Sequence, residues 1–317
     1  MAQGNARKVE MTLRSRMWIA VGLTVASAIP AAAQVTPPPD GGPAWARVQQ
    51  ALGGRGTMQP GDVLRFRFPR TDLTVVADGV TLKPTLALGS WVAFKRMDAA
   101  GATMVMGDLV LTEDEVSAVM LRLQQNGVEQ TALHQHVLRE SPRVLYMHID
   151  AHGDAAKIAS AIRLALGASR TPLTAPTAPA MAPQAAFELD TAAIARMLGV
   201  AGRVNGGVYQ VNAARAERIM AHGMEVPPAM GVATVMNFQP TGGGKAAITG
   251  DFVMTAAEVN PVMRALREHG IEVTALHSHM LDESPRLFFM HFWANANATT
   301  LAKGLRAALD LTARPTK

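Results

Sequence analysis

The feature that most constrains this 317-residue chain is a stretch of 24 residues that occurs twice. Residues 128–151 have the sequence VEQTALHQHVLRESPRVLYMHIDA, and residues 271–294 have the sequence IEVTALHSHMLDESPRLFFMHFWA. The second copy follows the first by 143 positions, and six residues of the first copy recur in the second at this offset. They are His134, His136, Glu140, Pro142, Arg143 and His148, which correspond to His277, His279, Glu283, Pro285, Arg286 and His291. A duplication of this kind predicts a chain built from two copies of one structural unit, too few for a solenoid.

The pattern of apolar residues around each stretch predicts the same order of elements twice. Strands come first, and an amphipathic helix follows. Thr112 and Thr255 are predicted to cap the two helices, each with a glutamate three residues later (Glu115 and Glu258) at the spacing of a capping box. The histidine-bearing stretch then predicts two strands, and a last helix closes the unit. Hairpins alternating with helices favour an α+β fold in which each repeat forms an antiparallel sheet with helices packed on one face.

Composition and spacing divide the chain into six segments. Residues 168–186 are rich in Ala, Pro and Thr and predict a linker, which permits either one pseudo-symmetric body or two separate units. The segments are a signal peptide (1–33), a Pro/Gly spacer (34–43), a first repeat (44–167), the linker (168–186), a second repeat (187–311) and a tail (312–317).

The beginning of the chain has the pattern of a secretory signal. Basic residues precede the apolar run 17–29, and small residues follow at 31–33, so we expect cleavage after Ala33; the alternative is an uncleaved anchor. The chain contains no cysteine, which excludes a lipid-bearing cysteine, disulfides and thiolate metal sites. We therefore expect a periplasmic or secreted protein with no transmembrane segment in the mature chain.

Charge argues against a nucleic-acid partner. The formal net charge is +5, but Arg7, Lys8, Arg14 and Arg16 lie in the predicted leader, so the remainder of the chain is close to neutral. The sequence contains no basic stripe of the kind that binds nucleic acid.

The second repeat also carries a resemblance to a known family. The runs NGGVYQV, GMEVPPAMGVATVMNFQPTGGGKAAITGD and GDFVMTAAEVNPVMRALREHGIEVTALHSHMLDESPRLFFMHFWA resemble the LppY/LpqO-type lipoprotein homologues. The resemblance is close over residues 187–311 and looser over 44–167. That family is a domain of unknown function, so the resemblance implies export and no particular activity. Without a lipid-anchoring cysteine, this chain is expected to be soluble rather than tethered.

The histidines of each copy have the spacing of a metal site. Residues i and i+2 of a strand face the same side, so His277 and His279 point together, as do their first-repeat equivalents. With a carboxylate and a third histidine, each repeat predicts one set of three nitrogens and one oxygen suited to Zn, Cu, Ni or Fe. The predicted metal ligands are His134, His136, Glu140 and His148 in the first repeat and His277, His279, Glu283 and His291 in the second.

Two alternatives remain open for this stretch. If the residue numbers of paired positions in the second hairpin add up to an even number, His277 lies opposite His291 on one face. If they add up to an odd number, the two histidines face apart. Glu283 is either a metal ligand or the partner of Arg286 in a clamp across the loop. Arg286, and Arg143 in the first repeat, are also candidates to bind a small anionic ligand.

Other polar and sulfur-bearing residues have a more ordinary interpretation. Met147 and Met290 neighbour histidines, but adjacent strand residues face opposite sides, so both are predicted to fill the core. Asp108 and Asp251 each follow a glycine in a strand and are predicted to lie at the surface, with a place near the histidines as the alternative.

Three functional hypotheses follow from the sequence. The first is a binding protein for a divalent metal or a small ligand. The second is a metal-dependent enzyme with Glu283 as general base. The third is an envelope module that binds a protein partner and uses its histidines structurally.

Overall fold

The computed structural model of the protein describes Met1 and residues 42–97, 101–173 and 187–315. The predicted leader apart from Met1, most of the predicted spacer and most of the predicted linker lie outside these ranges. Within them, no helix is long and apolar enough to cross a membrane.

The two repeats contain matching elements within the described residues. Short 3-10 helices occur at Gly42–Trp45 and Pro228–Met230. The first repeat contains α1 (Ala46–Leu52), α2 (Val116–Gln125), α3 (Ala155–Leu166), β1 (Thr57–Gln59), β2 (Val63–Pro69), β3 (Val76–Ala77), β4 (Val80–Thr81), β5 (Gly89–Arg96), β6 (Ala102–Thr112), β7 (Glu129–His134), β8 (Glu140–Ser141) and β9 (Val144–Asp154). The second repeat contains α4 (Thr191–Leu198), α5 (Ala256–Glu268), α6 (Ala298–Leu309), β10 (Gly202–Asn205), β11 (Val208–Ala214), β12 (Met220–Ala221), β13 (Met224–Glu225), β14 (Ala233–Gly242), β15 (Lys245–Met254), β16 (Glu272–His277) and β17 (Phe288–Asn297).

Each repeat forms one six-stranded antiparallel sheet with the same topology. The strand order is β1-β2-β5-β6-β9-β7 in the first repeat and β10-β11-β14-β15-β17-β16 in the second. The paired strands run antiparallel throughout both sheets. The predicted α+β fold of two similar repeats is therefore confirmed. Two small sheets, β12-β13 and β4-β3-β8, accompany the large ones.

Alternation along the strands assigns the two faces of each sheet. In β2, Leu64, Phe66 and Phe68 pack with helices α1 to α3 in one apolar core, whereas Arg65 and Arg67 lie on the opposite face. The second repeat builds an equivalent core between its sheet and α4 to α6. Met147 and Met290 belong to these helix-side cores, so their predicted core-filling role is confirmed.

The other face of each sheet packs against the other repeat. Two further apolar clusters mix residues of both repeats, one joining Met104 and Met106 to Met280 and Phe289, the other including Tyr146 and Trp293. Because each of these buried clusters contains residues of both repeats, the two repeats form one body rather than separate units. The histidines that the two copies of the duplicated stretch share lie at this interface, between the inner faces of the two sheets.

A buried arginine ties each sheet to the helix that follows it. Arg70 is fully buried and donates to the carbonyl of Val110 at 2.8 Å and to Glu115 at 2.7 Å. Arg215 repeats the arrangement, donating to Glu258 at 2.8 Å. These ion pairs compensate for the burial of their charges by satisfying each other and nearby backbone groups.

The predicted helix caps differ between the repeats. Thr255 and Glu258 form the predicted capping box at the start of α5. In the first repeat, the prediction that Thr112 caps the helix is wrong, because the Thr112 hydroxyl donates to Asp114 at 2.6 Å and α2 begins only after Glu115. The equivalent of Asp114 in the second repeat is Ala257, which offers no competing acceptor.

Candidate metal centre between the two repeats

Six histidines, three from each repeat, meet between the inner faces of the two sheets. His134 and His277 end β7 and β16 and stack on each other with ring centroids 3.6 Å apart. Two more stacked pairs cross the interface, with centroids 3.7 Å and 3.8 Å apart: His136 with His291, and His148 with His279. The structure thus brings together all six predicted histidine ligands, but across the repeats.

A bulge in each hairpin sets which face these histidines occupy. In the second repeat the pairing shifts between Val273 and Ala275, after which His277 lies opposite Phe289. The residue numbers of paired positions therefore add up to an even number at this end of the hairpin. Phe289 and His291 are two residues apart on one strand, so His277, which lies opposite Phe289, shares a face with His291. The even alternative therefore holds for the shared face, but the residue directly opposite His291 is Ala275 rather than His277.

The bulged residues join the two hairpins. Thr131, left unpaired by the bulge in the first hairpin, donates its hydroxyl to the carbonyl of His279 at 2.6 Å. Thr274, its equivalent in the second hairpin, donates to the carbonyl of His136, also at 2.6 Å. These reciprocal bonds fix each histidine-bearing segment against the other repeat about an approximate two-fold axis.

Two overlapping groups of imidazoles have the spacing to hold a metal. In each group the candidate ligand atoms lie within 4.8 Å of one another: His134, His277 and His291 in one, His148, His277 and His279 in the other. The Nε2 atoms of His134 and His291 are 3.1 Å apart, close to the separation of about 3.3 Å expected for two nitrogens bound tetrahedrally to one zinc ion. The predicted arrangement of one ligand set within each repeat is wrong, because both groups draw on both repeats.

Backbone carbonyls fix the tautomers of two of these histidines. A carbonyl oxygen can only accept, so His291 donates its Nδ1–H to Gly250 at 2.7 Å and His279 donates its Nδ1–H to Gly231 at 3.2 Å. Both rings therefore present an Nε2 lone pair to the cluster. An imidazole that donates one nitrogen to a carbonyl and offers the other is the usual arrangement of a metal-bound histidine.

Most of the remaining imidazole nitrogens have no hydrogen-bond partner. These buried atoms, taken from the described residues, are Nδ1 of His134, Nε2 of His136, Nε2 of His148, both nitrogens of His277 and Nε2 of His279. Leaving a buried polar atom unsatisfied costs about 1–3 kcal/mol. So many unpaired nitrogens at one place are unusual in a folded core, and a cation bound among them would satisfy their lone pairs.

Burial favours the neutral form of five of the clustered imidazoles. Burial, reinforced by the neighbouring histidines, lowers the pKa of His136 and His148 well below the ordinary value and also lowers the pKa of His134. Burial lowers the pKa of His277 to about 2 and also lowers that of His291. Neutral imidazole is the form that binds a transition metal, so the cluster needs no deprotonation at neutral pH.

Two aspartates lie beside the histidines, contrary to the prediction that they are at the surface. Asp108 and Asp251 are buried and pair in register with His148 and His291 on the neighbouring strands. Asp251 Oδ2 is 3.1 Å from His279 Nε2, without the geometry of a hydrogen bond. The Gly-Asp pattern repeated in the two copies was the sequence signal for these acids.

The two aspartates differ in their ionisation. Burial, with a contribution from the nearby Asp251, raises the pKa of Asp108 to about 8. Burial also acts to raise the pKa of Asp251, and positive charge on His291 or His279 acts in the opposite direction and lowers it. The neighbouring histidines therefore affect the ionisation of Asp251, whereas burial dominates that of Asp108.

The predicted carboxylate and arginine candidates lie in the loops instead. Glu283 accepts from the backbone N–H of Leu287 at 2.8 Å and from Arg286 at 3.3 Å, which is the loop clamp that the sequence left open. Glu140 likewise accepts from the backbone of its own loop, at Val144. Neither glutamate is in a ligand group of the described residues, because these local donors hold it.

Neither predicted anion-binding arginine reaches the cluster. Arg286 donates to the carbonyl of Leu281 at 2.7 Å, within its own loop. Arg143 is exposed and lies near Thr112 and Arg170, at a separate surface depression.

A third group of potential ligands lies nearer the surface. Asp150, His152 and His222 offer atoms within 4.8 Å of one another, and Asp282 lies 3.6 Å from His222. Sequence analysis missed this group because His222 belongs to a different segment from the duplicated stretch. It is more exposed than the six-histidine cluster, and any metal measurement must separate the two.

A cavity of about 430 Å³ leads to the cluster between the two sheets. Its lining includes the buried residues Asp108, Asp251, His148, His279 and His291 and the half-buried His136. Small molecules therefore have a route to the same imidazoles that are arranged to hold a metal.

Comparison with known proteins gives a family without an assigned activity. The family model described as Domain of Unknown Function (DUF1259) matches residues 46–168 and again residues 192–311. No curated protein matches the chain.

Two solved structures show weak likeness. The trimeric bacterial microcompartment shell protein PduB is 14% identical with a TM-score of 0.20, over 80% of this chain and 89% of its own. EtuB from Clostridium kluyveri is 9% identical with a TM-score of 0.19, over 80% and 90%. Scores this low carry no argument about fold or function.

Proposed function

Since this chain belongs to the family described as Domain of Unknown Function (DUF1259), in two tandem copies, we propose that it binds a divalent transition metal between its repeats. The observation that carries the proposal is the convergence of neutral, buried imidazole nitrogens without partners, drawn from both repeats. Imidazole-rich sites suit zinc, copper, nickel and iron, and the absence of thiolates leaves the choice among these four.

The proposal includes export to the periplasm or the medium. Support for this comes from the signal-like sequence of residues 1–33 and from the lack of cysteine in the whole chain. The narrower resemblance to LppY/LpqO-type lipoprotein homologues agrees with export. A soluble exported metal-binding protein is the form that these features favour.

A metal-dependent enzyme is the second candidate, and the cavity at the cluster favours it. An enzyme needs a substrate to reach the metal, and the 430 Å³ cavity offers that access. The general base of such an enzyme is Asp251 rather than Glu283, because Asp251 lies 3.1 Å from His279 in the cluster and Glu283 is held in its loop. An envelope module with purely structural histidines is the third candidate.

Elemental analysis of protein purified without a His-tag tests the proposal. We expect wild type to retain metal after incubation with zinc, copper, nickel or iron salts and dialysis. His277 is shared by both ligand groups, so His277→Ala should lose this metal. His269→Ala is the matched control, because His269 is exposed and bonded to its own helix.

A second control removes the outer ligand group. His152→Ala/His222→Ala should leave the cluster metal in place and abolish only binding to Asp150 and its neighbours. Wild type that takes up none of the four metals, or His277→Ala that retains as much as wild type, would contradict the proposal and favour the structural role.

A further inference from the structure

The cavity between the two sheets is lined by positively charged side chains that are not part of the six-histidine cluster. Its lining includes Arg65 and Arg67 from β2 and Arg203 from β10, with the polar side chains of Gln210 and Asn212 on β11. Arg67 and Arg203 are exposed, whereas the histidines and aspartates of the lining are mostly buried. The arginines therefore lie at the mouth of the cavity, and the six-histidine cluster lies at its inner end.

None of these three arginines has an acidic partner. Within the described residues, no carboxylate lies within 4.0 Å of Arg65, Arg67 or Arg203, although other arginines of the protein form such pairs. Burial lowers the pKa of Arg65 to about 9, and the positive charges of Arg67 and Arg203 contribute. Like charges held together without a counter-charge are unfavourable unless an anion joins them.

Arg65 is held in an orientation that leaves donors available. Its guanidinium lies 3.9 Å from the centre of the Trp91 ring and donates one bond to the carbonyl of Ala229 at 2.9 Å. Its buried Nε has no hydrogen-bond partner. A guanidinium fixed by stacking, with free N–H groups, is suited to pair with carboxylate or phosphate oxygens.

The duplication shows that the fold does not require these charges. The strand registers make Arg65 equivalent to Gln210 and Arg67 equivalent to Asn212. Gln210 donates to the carbonyl of Thr85 at 2.9 Å, so a neutral amide makes the bond that Arg65 makes across the interface. The additional feature of the first repeat is positive charge facing the cavity.

We propose that the cavity binds a small organic anion whose carboxylate or phosphate pairs with Arg65, Arg67 and Arg203. The arginines lie at the mouth and the histidines at the inner end, so the anionic end of the ligand lies at the mouth and its other end points to the histidines. The orientation towards a metal rests on the proposed function, whereas anion binding by the arginines does not. A cavity of 430 Å³ has the size of a small-molecule site.

Calorimetric titration of the metal-free protein tests the anion site alone. The probes are succinate and inorganic phosphate, with succinamide as the uncharged counterpart of succinate. We expect at least one anion to bind, succinamide not to bind, and Arg65→Gln/Arg67→Asn to weaken binding about tenfold or more. The variant carries the residues that the second repeat has at these positions, so its fold should be retained.

Arg122→Gln, on the exposed face of α2, is the matched control and should bind as wild type does. Absence of binding by both anions at millimolar concentration, or unchanged affinity in Arg65→Gln/Arg67→Asn, would overturn the proposal. These outcomes are independent of metal uptake, so failure of the metal proposal leaves the anion test intact.

A second titration tests the orientation of the ligand. In copper-loaded protein, binding of the anion that the first titration identifies should change the copper absorption band, because the inner end of the ligand reaches the metal. Binding that leaves this band unchanged would overturn the orientation while keeping the anion site.

Discussion

At the scale of single residues, the histidine cluster is stable only when its rings are neutral or bound to a cation. A proton on His277 would face five nearby imidazoles in a buried space, and burial already lowers its pKa to about 2. The ring packs on His134 and belongs to both ligand groups. His277 is therefore the residue on which the metal centre depends most.

Gly250 is required by close packing at the cluster. A Cβ at this position would collide with the carbonyl oxygen of Val235 on the neighbouring strand, and the Gly250 carbonyl accepts the Nδ1–H of His291. We predict that Gly250→Ala lowers the free energy of unfolding by about 1–3 kcal/mol, as overpacking does. Urea unfolding measures the change.

Gly54→Ala provides the control for this substitution. A Cβ at Gly54 meets no atom within 4 Å, and its backbone does not need a left-handed conformation. An unchanged urea midpoint in Gly250→Ala, or an equal loss in both variants, would show that the close approach does not limit stability.

At the scale of elements, the two bulged hairpins are the parts that build the centre. Each bulge frees a threonine, Thr131 or Thr274, that bonds to the histidine-bearing segment of the other repeat. The bulge also restores the register that turns the first and last histidines of each stretch to one face. The same local irregularity thus orients the ligands and docks the repeats.

We predict that Thr131→Val/Thr274→Val weakens both the docking of the two repeats and the binding of metal. Valine keeps the shape of threonine but leaves the carbonyls of His136 and His279 without their donors, which costs about 0.5–1.5 kcal/mol for each bond. Loss of such supporting bonds should weaken metal binding roughly tenfold. Thermal unfolding and competition with a chelator measure the two effects.

Thr131→Ser/Thr274→Ser keeps both hydroxyls and should bind metal nearly as wild type does. If the valine and serine variants bind metal equally well, the hydroxyls do not position the histidines.

Much of each element could be predicted from the sequence because its signals are local. The pattern of apolar residues predicted strands before the first amphipathic helix of each repeat, and Thr255 with Glu258 predicted the cap of α5. The false cap at Thr112 shows the limit, because one competing carboxylate, Asp114, redirects the hydroxyl.

The composition of the site could be predicted only in part. The spacing of the histidines indicated ligands, but nothing in one repeat shows that its histidines face those of the other. Asp108 was predicted to lie at the surface but is buried, because the pattern of a strand does not distinguish a face exposed to solvent from one covered by a second repeat. Contacts between distant segments decide both points, and a single sequence does not encode them locally.

The buried arginine clamps predict a loss of stability in acid. Burial alone would raise the pKa of Glu115, but hydrogen bonds from Arg70 and from backbone N–H groups hold it below its ordinary value. The stability that this carboxylate contributes is fully present above its unfolded-state pKa of about 4.3 and is lost as pH falls through the lower folded-state value.

The urea midpoint should therefore decline steeply below about pH 4. Glu115→Gln should be less stable than wild type at neutral pH and should show a shallower decline in acid. Parallel declines in the two proteins would mean that Glu115 does not contribute to the acid response.

At the scale of the whole molecule, neither repeat is complete alone. Each sheet has helices on one face and depends on the other repeat to cover its second face. The histidines lie at this interface, and both ligand groups draw on both repeats. The duplicated histidines therefore form one shared cluster rather than two separate ones.

Metal content of matched variants tests this shared centre most directly. His134→Ala/His148→Ala alters only the first repeat, and His277→Ala/His291→Ala alters the equivalent positions of the second; each breaks both ligand groups. We predict that either variant loses all of the cluster metal, measured by elemental analysis in a His152→Ala/His222→Ala background. Retention of half of the wild-type metal by each variant would contradict a shared centre and show one independent site in each repeat.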